Sequence, residues 1–367
     1  MRIVFAGSHI LHWRSLIPVA CEVARRGHAI TVERNRPNWL GMPTFQMNWR
    51  PTHVTGVNKT SLAWLSEKIG YGQEWQAAQG HIDYKPHFIP EEYDAAVSTT
   101  KDLDFLQDMG EEINGHMTCF AIGYQHFPGI IHMGRYAWTD RLLNEPPPKL
   151  LPEALTGIHP FGSAHGFGSL ALNGRVTPCA FPHLDKVEIS QSHKHNRVLI
   201  QHHGGYRGLR GHEWLADVVR AINAIGYEAL VCPHFIPGRG YDRYAIIKAL
   251  DRDGPSGNWR TANRWWDVAG QCDLILTTGS SAAYEMWAVG LTNVFILGYL
   301  GGTRHEKFQM FQDLLVESPE ALAKLLRGLP GSAQATEPLT REVMEAYRSV
   351  HNGQGAKTAA DVIEGKL

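Results

Sequence analysis

The residues with the clearest chemical potential lie in the run LILTTGSSAAYEMWAVG, residues 274–290. An apolar stretch stops at small and hydroxyl residues, and a run of helix formers follows at once. Backbone N–H groups at the start of a helix lack partners and carry partial positive charge, so they bind phosphates. The candidates for phosphate contact here are Thr278, Gly279, Ser280 and Ser281. Glu285, one turn later, is a candidate acceptor for two sugar hydroxyls. A well-capped helix without a ligand gives the same pattern.

Two more loops in the second half carry groups suited to an anionic ligand. In HHGGYRG (202–208), Gly204 and Gly205 let the backbone approach a ligand closely, and Arg207 can meet a diphosphate with two hydrogen bonds. His234 follows an apolar run and is expected at the carboxyl end of a strand. A loop glycine pair and a structural histidine are the alternative interpretations.

Histidines in the first half are candidate general bases. Imidazole titrates near pH 7, which suits removal of a proton from an acceptor hydroxyl. GSHILHW (7–13) contains His9 and His12, and GYQHFPG (123–129) contains His126. Only one of them can be the base, and each has the alternative of being a surface loop residue.

The elements that position these residues repeat along the chain. A strand (2–7), a helix (14–26), Gly27 and a strand (28–33) recur as a strand (197–202), a helix (211–226) and a strand (227–232). Short strand–helix–strand units predict parallel pairing with right-handed crossovers. Further predicted helices lie at 60–79, 262–271, 281–290 and 338–350.

We therefore predict an α/β fold of two Rossmann-like βαβ domains facing across a cleft, with a C-terminal helix packing back. The predicted boundaries are 1–190 for an N-terminal acceptor domain and 191–335 for a C-terminal nucleotide-donor domain. Residues 336–367 form the C-terminal helix and tail.

The composition of the chain limits the partners and the cellular location that we expect. The chain has 367 residues and a formal net charge of −1, so no global basic field recruits nucleic acid or anionic lipid. Its five cysteines are scattered and form no CxxC pair. No stretch reaches the 18 or so apolar residues of a membrane span. These features predict a cytoplasmic protein without stable membrane insertion, bound metal or cofactor.

Two stretches resemble the GT-B glycosyltransferases. They are GSHILHWRSLIPVACEVARRGHAITV (7–32) and CDLILTTGSSAAYEMWAVGLTNVFI (272–296). The first is similar to the family's first loop, helix and second strand, and the second to its donor-site strand, turn and helix with glutamate. The resemblance implies a donor in the C-terminal domain and an acceptor in the N-terminal one. It places His12 where several inverting members keep a base or an acceptor-contacting histidine.

A more local similarity links the chain to glycerophosphotransferases and capsule-polymer transferases. It rests on Ser280-Ser281 and Pro233-His234, which in those enzymes face the donor's phosphates. It also implies a base at His126. The chain departs from their pattern at Thr278-Gly279, where they have aspartate and tyrosine.

The predicted function is transfer of a sugar from a nucleotide-activated donor to an acceptor hydroxyl, inverting and metal-independent, with a histidine base. The acceptor is a glycan, a lipid-linked sugar, a small molecule or a modified DNA base, the last making it a phage-type DNA-base glycosyltransferase. The alternatives are a nucleotide-sugar 2-epimerase of the same fold and a nucleotide-sugar-binding protein without catalysis. An epimerase needs acidic residues in the first domain, for which Asp102 and Asp104 are candidates.

Overall fold

The structure is a computed structural model that describes residues 1–7, 10, 12–33, 57–85, 89, 92–99, 118–122, 141–143, 176–177, 181–189, 196–202, 213–233, 250–251, 257–278, 282–298, 311–328 and 337–366. The chain forms two compact units. The first comprises Met1–Gly157, Phe161–Lys186 and Ser349–Leu367, and the second comprises Ile158–Pro160 and Val187–Arg348. The C-terminal segment therefore belongs to the first unit.

A parallel sheet forms the centre of the first unit. Its strands are β1 (Arg2–Phe5), β2 (Ala29–Glu33), β3 (Ile82–Lys85), β4 (Ala95–Thr99), β5 (Thr118–Ile122), β6 (Arg141–Leu143) and β7 (Val176–Thr177). Their order is β3-β2-β1-β4-β5-β6-β7. The residues of β4 are all buried, as expected for a parallel strand covered on both faces.

A second parallel sheet forms the centre of the second unit. Its strands are β8 (Arg197–His202), β9 (Glu228–Pro233), β10 (Trp259–Thr261), β11 (Leu274–Thr277), β12 (Val294–Leu297) and β13 (Leu315–Val316). Their order is β10-β9-β8-β11-β12-β13. In both sheets the first strand is central, and the chain fills one side before the other. The predicted pair of Rossmann-like domains is therefore confirmed.

Helices connect the strands and cover the sheets. They are α1 (Trp13–Arg25), α2 (Lys59–Lys68), α3 (Gly72–Ala78), α4 (Glu213–Ala224), α5 (Ala282–Ala288), α6 (Pro319–Gly328), α7 (Pro338–Val350) and α8 (Gly355–Ile363). Three of the predicted helix ends fall at glycines in the left-handed region, with φ of 87° at Gly27, 81° at Gly226 and 87° at Gly290. A side chain is strained in that region and glycine is not, which explains why the helices stop there.

Two predicted helices differ from the structure. The helix predicted over 60–79 is divided into α2 and α3 at Gly70, where φ is 81°. The Tyr71 N–H closes the end of α2 by donating to the Ser66 carbonyl at 2.8 Å. The helix predicted over 262–271 is instead two short 3₁₀ turns, Trp265–Asp267 and Ala269–Gln271. Asn, Asp, Val and Gly are weak helix formers, and this segment contains all four.

Candidate functional site

The second unit places the predicted turn beside the point where its strand order reverses. Strands β8 and β11 are neighbours, and the chain leaves them toward opposite sides of the sheet. In open α/β sheets, ligands bind outside the carboxyl ends of the strands at such a switch point. Thr277, the last residue of β11, pairs in register with Gln201 near the end of β8. Thr278 follows directly, so the structure brings this predicted site residue to the expected edge.

Polar side chains at this edge are buried, and three of their atoms have no hydrogen-bond partner in the part of the chain that the structure describes. Thr277 is 0 % exposed, Thr278 is 1 % and Gln201 is 6 %. The atoms concerned are the Thr277 and Thr278 hydroxyl oxygens and Gln201 Oε1. Nearly all buried polar groups in folded proteins have a partner in the protein or in solvent. These three atoms therefore give this strand edge hydrogen-bonding capacity that the described residues do not use.

Helix α5 holds Glu285 rigidly. Every residue of the helix is buried, and Glu285 is 0 % exposed. Two aromatic residues fix the helix in the unit: the Tyr284 and Trp287 rings meet edge to face at 5.0 Å, and Trp287 meets Phe311 at 5.1 Å. Burial raises the pKa of the Tyr284 hydroxyl, so this group is neutral at physiological pH. Glu285 is thus an enclosed carboxyl group near the start of the helix.

The first unit has its own switch point, between β1 and β4. His12 lies there as the residue that precedes α1, is 8 % exposed, and its carbonyl accepts from the Ser15 N–H at 3.3 Å. Two described residues at the end of β1 accept hydrogen bonds from side chains. Trp13 Nε1 donates to the Gly7 carbonyl at 3.3 Å, and Ser98 Oγ donates to the Ala6 carbonyl at 2.7 Å. His12 therefore lies buried at the carboxyl edge, beside backbone groups that already have partners.

The other predicted site residues lie outside the described residues. They are His126, Gly204, Gly205, Arg207, His234, Gly279, Ser280 and Ser281, together with His9. Gln201 was not among the sequence candidates. The signal for it was its place as an uncharged polar residue directly after the apolar run VLI, residues 198–200. Among the described side chains, no three His, Cys, Asp or Glu residues are grouped as a metal ion would require.

Comparison with known proteins identifies the architecture. No protein-family model and no curated protein matches this chain. Among solved structures, the glycotransferase of kitacinnamycin matches over 100 % of this chain and 99 % of its own, with 14 % identity and a TM-score of 0.56. UGT89C1 from Arabidopsis thaliana, complexed with UDP-L-rhamnose, matches over 100 % and 99 %, with 12 % identity and a TM-score of 0.54.

A third structure with this architecture is named for a different reaction. A Listeria monocytogenes protein assigned as a UDP-N-acetylglucosamine 2-epimerase matches over 99 % of this chain and 94 % of its own, with 11 % identity and a TM-score of 0.52.

Over the part of the chain that the structure describes, no helix is long and apolar enough to cross a membrane. At sequence identities this low, structural similarity establishes the fold but not the reaction, which depends on the residues of the site. The chain has the GT-B fold, as the sequence predicted.

Proposed function

We propose that the protein is a glycosyltransferase that moves a sugar from a nucleotide-activated donor to an acceptor hydroxyl. One observation carries the proposal: Thr278, the first residue of the sequence TGSS, directly follows β11 at the switch point of the second unit. Solved structures of a glycotransferase and of a protein complexed with UDP-L-rhamnose support it, because they have this fold. The nucleotide sugar is a substrate, and the proposal includes no further cofactor or metal.

In this proposal the second unit binds the donor. Gly279, Ser280 and Ser281 contact the diphosphate from one side, and the Gly204-Gly205 loop contacts it from another. Arg207 and His234 supply positive charge or N–H donors to it. Hydroxyl and amide donors held in fixed positions stabilise the charge that grows on the leaving diphosphate. Glu285 fixes the hydroxyls of the donor, either directly or by holding α5 in place.

A histidine of the first unit activates the acceptor. His12 and His126 are the two candidates, and His12 is the one among the described residues. Its neutral imidazole takes the proton as the acceptor oxygen attacks the anomeric carbon, and the bond from that carbon to the diphosphate breaks. Attack on the face opposite the leaving group inverts the configuration. The acceptor is a glycan, a lipid-linked sugar, a small molecule or a modified DNA base.

The alternative is a nucleotide-sugar 2-epimerase. The Listeria monocytogenes structure favours it, because a protein assigned to that activity has the same fold. An experiment can distinguish the two reactions even when the acceptor is unknown. An epimerase converts UDP-N-acetylglucosamine alone into its 2-epimer, which proton NMR detects. A glycosyltransferase leaves that configuration unchanged.

Donor binding is tested by thermal shift. UDP, GDP, dTDP and their glucose conjugates are added to the wild type, to Glu285→Gln and to Glu320→Gln. We expect at least one nucleotide to raise the wild-type Tm, and Glu285→Gln to reduce that shift. Glu320 is exposed on another helix of the same unit, so its variant should respond like the wild type. The Tm without nucleotide reveals whether a variant is simply unstable. A wild type that none of the six compounds stabilises contradicts the proposal.

The base is tested by separating binding from transfer. His12→Ala and His126→Ala should both keep the nucleotide shift, while one of them loses turnover with an acceptor found by screening. Full turnover in both variants would exclude these two histidines as the base.

A further inference from the structure

The polar residues of the second switch point interrupt an apolar face of the sheet. Residues in register on parallel strands point to the same side. Through Thr277, one such row crosses four strands: Ile296, Thr277, Gln201 and Cys232. The row two residues earlier on the same strands is entirely apolar: Val294, Ile275, Leu199 and Leu230. On this face of β8, β9 and β11, polar side chains lie at both ends of the strands. At the amino ends Arg197 and Glu228 are in register and form an ion pair with each other. At the carboxyl ends Gln201 and Thr277 lie on the two strands that flank the switch point.

Packing alone does not explain this pair. Gln201 Oε1 and Thr277 Oγ1 are buried and have no hydrogen-bond partner among the described residues, which lowers stability relative to apolar groups of the same shape. The neighbours Ile296 and Cys232 show that apolar side chains fit the same layer. Binding sites commonly contain polar residues that lower the stability of the free protein, because a ligand completes their hydrogen bonds.

The chemistry of the two groups selects the kind of ligand atom. The amide oxygen of Gln201 only accepts hydrogen bonds. An ionised phosphate also only accepts, so it cannot satisfy this atom. A sugar hydroxyl donates, and it leaves the amide NH₂ of Gln201 to donate to the neighbouring Thr277 oxygen. The paired strands are about 4.8 Å apart, which such a contact can span.

We propose that Gln201 binds a hydroxyl of the transferred sugar and that Thr277 positions its amide. This inference rests on the proposed function and adds to it a residue pair that selects the sugar. Gln201, at 6 % exposure, lies nearer the surface, whereas Thr277 is completely enclosed and acts through Gln201. When the sugar binds, Gln201 Oε1 accepts from the sugar hydroxyl and Thr277 Oγ1 accepts from the Gln201 amide, so each of the two atoms gains a partner.

The test combines stability with binding in the variants Gln201→Met and Thr277→Val. Each replaces a polar group by an apolar one of similar shape, so we expect the Tm without ligand to stay equal or to rise by about 2 °C. Affinity for the nucleotide sugar should fall about 10-fold, as for the loss of one or two hydrogen bonds, while affinity for the matching diphosphate stays within about 2-fold. Both affinities are measured by calorimetry with UDP and UDP-glucose, and with the corresponding diphosphate and glucose conjugate of GDP and of dTDP.

A matched control is Thr340→Val. Thr340 is as buried as Thr277, but its hydroxyl donates to Asp313 at 2.7 Å, so this variant should lower the Tm and leave binding unchanged. A Tm loss in Thr277→Val like that of the control would overturn the inference, because the hydroxyl would already have a structural partner such as a buried water. The inference would also be overturned if the variants Gln201→Met and Thr277→Val lost affinity for the diphosphate and for the nucleotide sugar equally. A wild type that binds none of the pairs refutes the proposed function instead.

Discussion

Asp185 is a partly buried acid that should make the stability of the first unit depend on pH. Its carboxylate caps α8: one oxygen accepts from the Gly355 N–H at 2.9 Å and the other from the Ala356 N–H at 2.7 Å. It lines a cavity of about 610 Å³ near the C-terminal end of α1. Burial raises the pKa of Asp185 from 3.8 to about 6, although the two backbone hydrogen bonds act to lower it.

The sign of the effect follows from where the proton is bound. Between pH 3.8 and about 6 the folded chain holds a proton on Asp185 that the unfolded chain has lost. The contribution of this group to stability is therefore full below pH 3.8, falls as pH rises, and is gone above pH 6. A rise of this size in the pKa corresponds to about 3 kcal/mol. Asp185→Asn cannot ionise and should lose this dependence. Its amide keeps one of the two cap bonds, as the protonated carboxyl group of the wild type does at low pH.

The assay is urea unfolding followed by circular dichroism between pH 4 and 7.5, with the variant compared to the wild type at each pH. At pH 4 the folded wild type is protonated at Asp185, so the variant should be about as stable as the wild type. By pH 7 the variant should be the more stable of the two by about 2 kcal/mol, because the wild type has lost most of the contribution of Asp185.

Glu74→Gln is the control with the opposite slope. Burial acts to raise the pKa of Glu74, but its ion pair with Lys186 lowers that pKa overall. Its contribution to stability is therefore present above its ordinary pKa and is lost as pH falls. A difference between wild type and Asp185→Asn that is the same at pH 4 and pH 7 would refute a raised pKa at Asp185.

Two further predictions concern contacts that shape the first unit. A Cβ on Gly7 would lie 2.8 Å from Trp13 Nε1, so Gly7→Ala should destabilise by about 1–3 kcal/mol in urea unfolding. Gly80→Ala, whose Cβ would meet nothing within 4 Å, should change stability by less than about 0.5 kcal/mol. Arg26 is 12 % exposed and binds two acidic side chains of the C-terminal segment, each at 2.6 Å. Arg26→Met should therefore cost about 3 kcal/mol and speed hydrogen exchange in α8. Arg25→Met, at a side chain 68 % exposed, should cost less than about 1 kcal/mol, and equal losses would contradict the role of Arg26.

The sequence predicted the central strands and the glycine-ended helices because local signals determine both. An apolar run such as RIVF can hardly be anything but a buried strand, and Gly27 ends α1 through its own backbone. Strand β3 was missed because it lies at the sheet edge, where IDYK is half-exposed and lacks an apolar run. Helix α8 was missed because its stability comes from packing and from the distant cap at Asp185.

The candidate site was predicted in part for the same reason. The position of Thr278 and Glu285 after β11 follows from a local strand–turn–helix pattern. The role of Gln201 does not, because what distinguishes it is the absence of a hydrogen-bond partner across β8 and β11. Such an absence depends on tertiary structure, and no spacing in the sequence encodes it.

The two switch points differ in what they require from a ligand, although the chain builds them in the same way. At the first, Ser98 donates to the Ala6 carbonyl and Trp13 to the Gly7 carbonyl, so these groups already have partners in the protein. At the second, Gln201 Oε1 and Thr277 Oγ1 have no partner among the described residues. A ligand that satisfies these two atoms would add hydrogen-bonding free energy at the second edge. In the proposed function the second unit therefore binds the group to be transferred, and the first unit supplies the base.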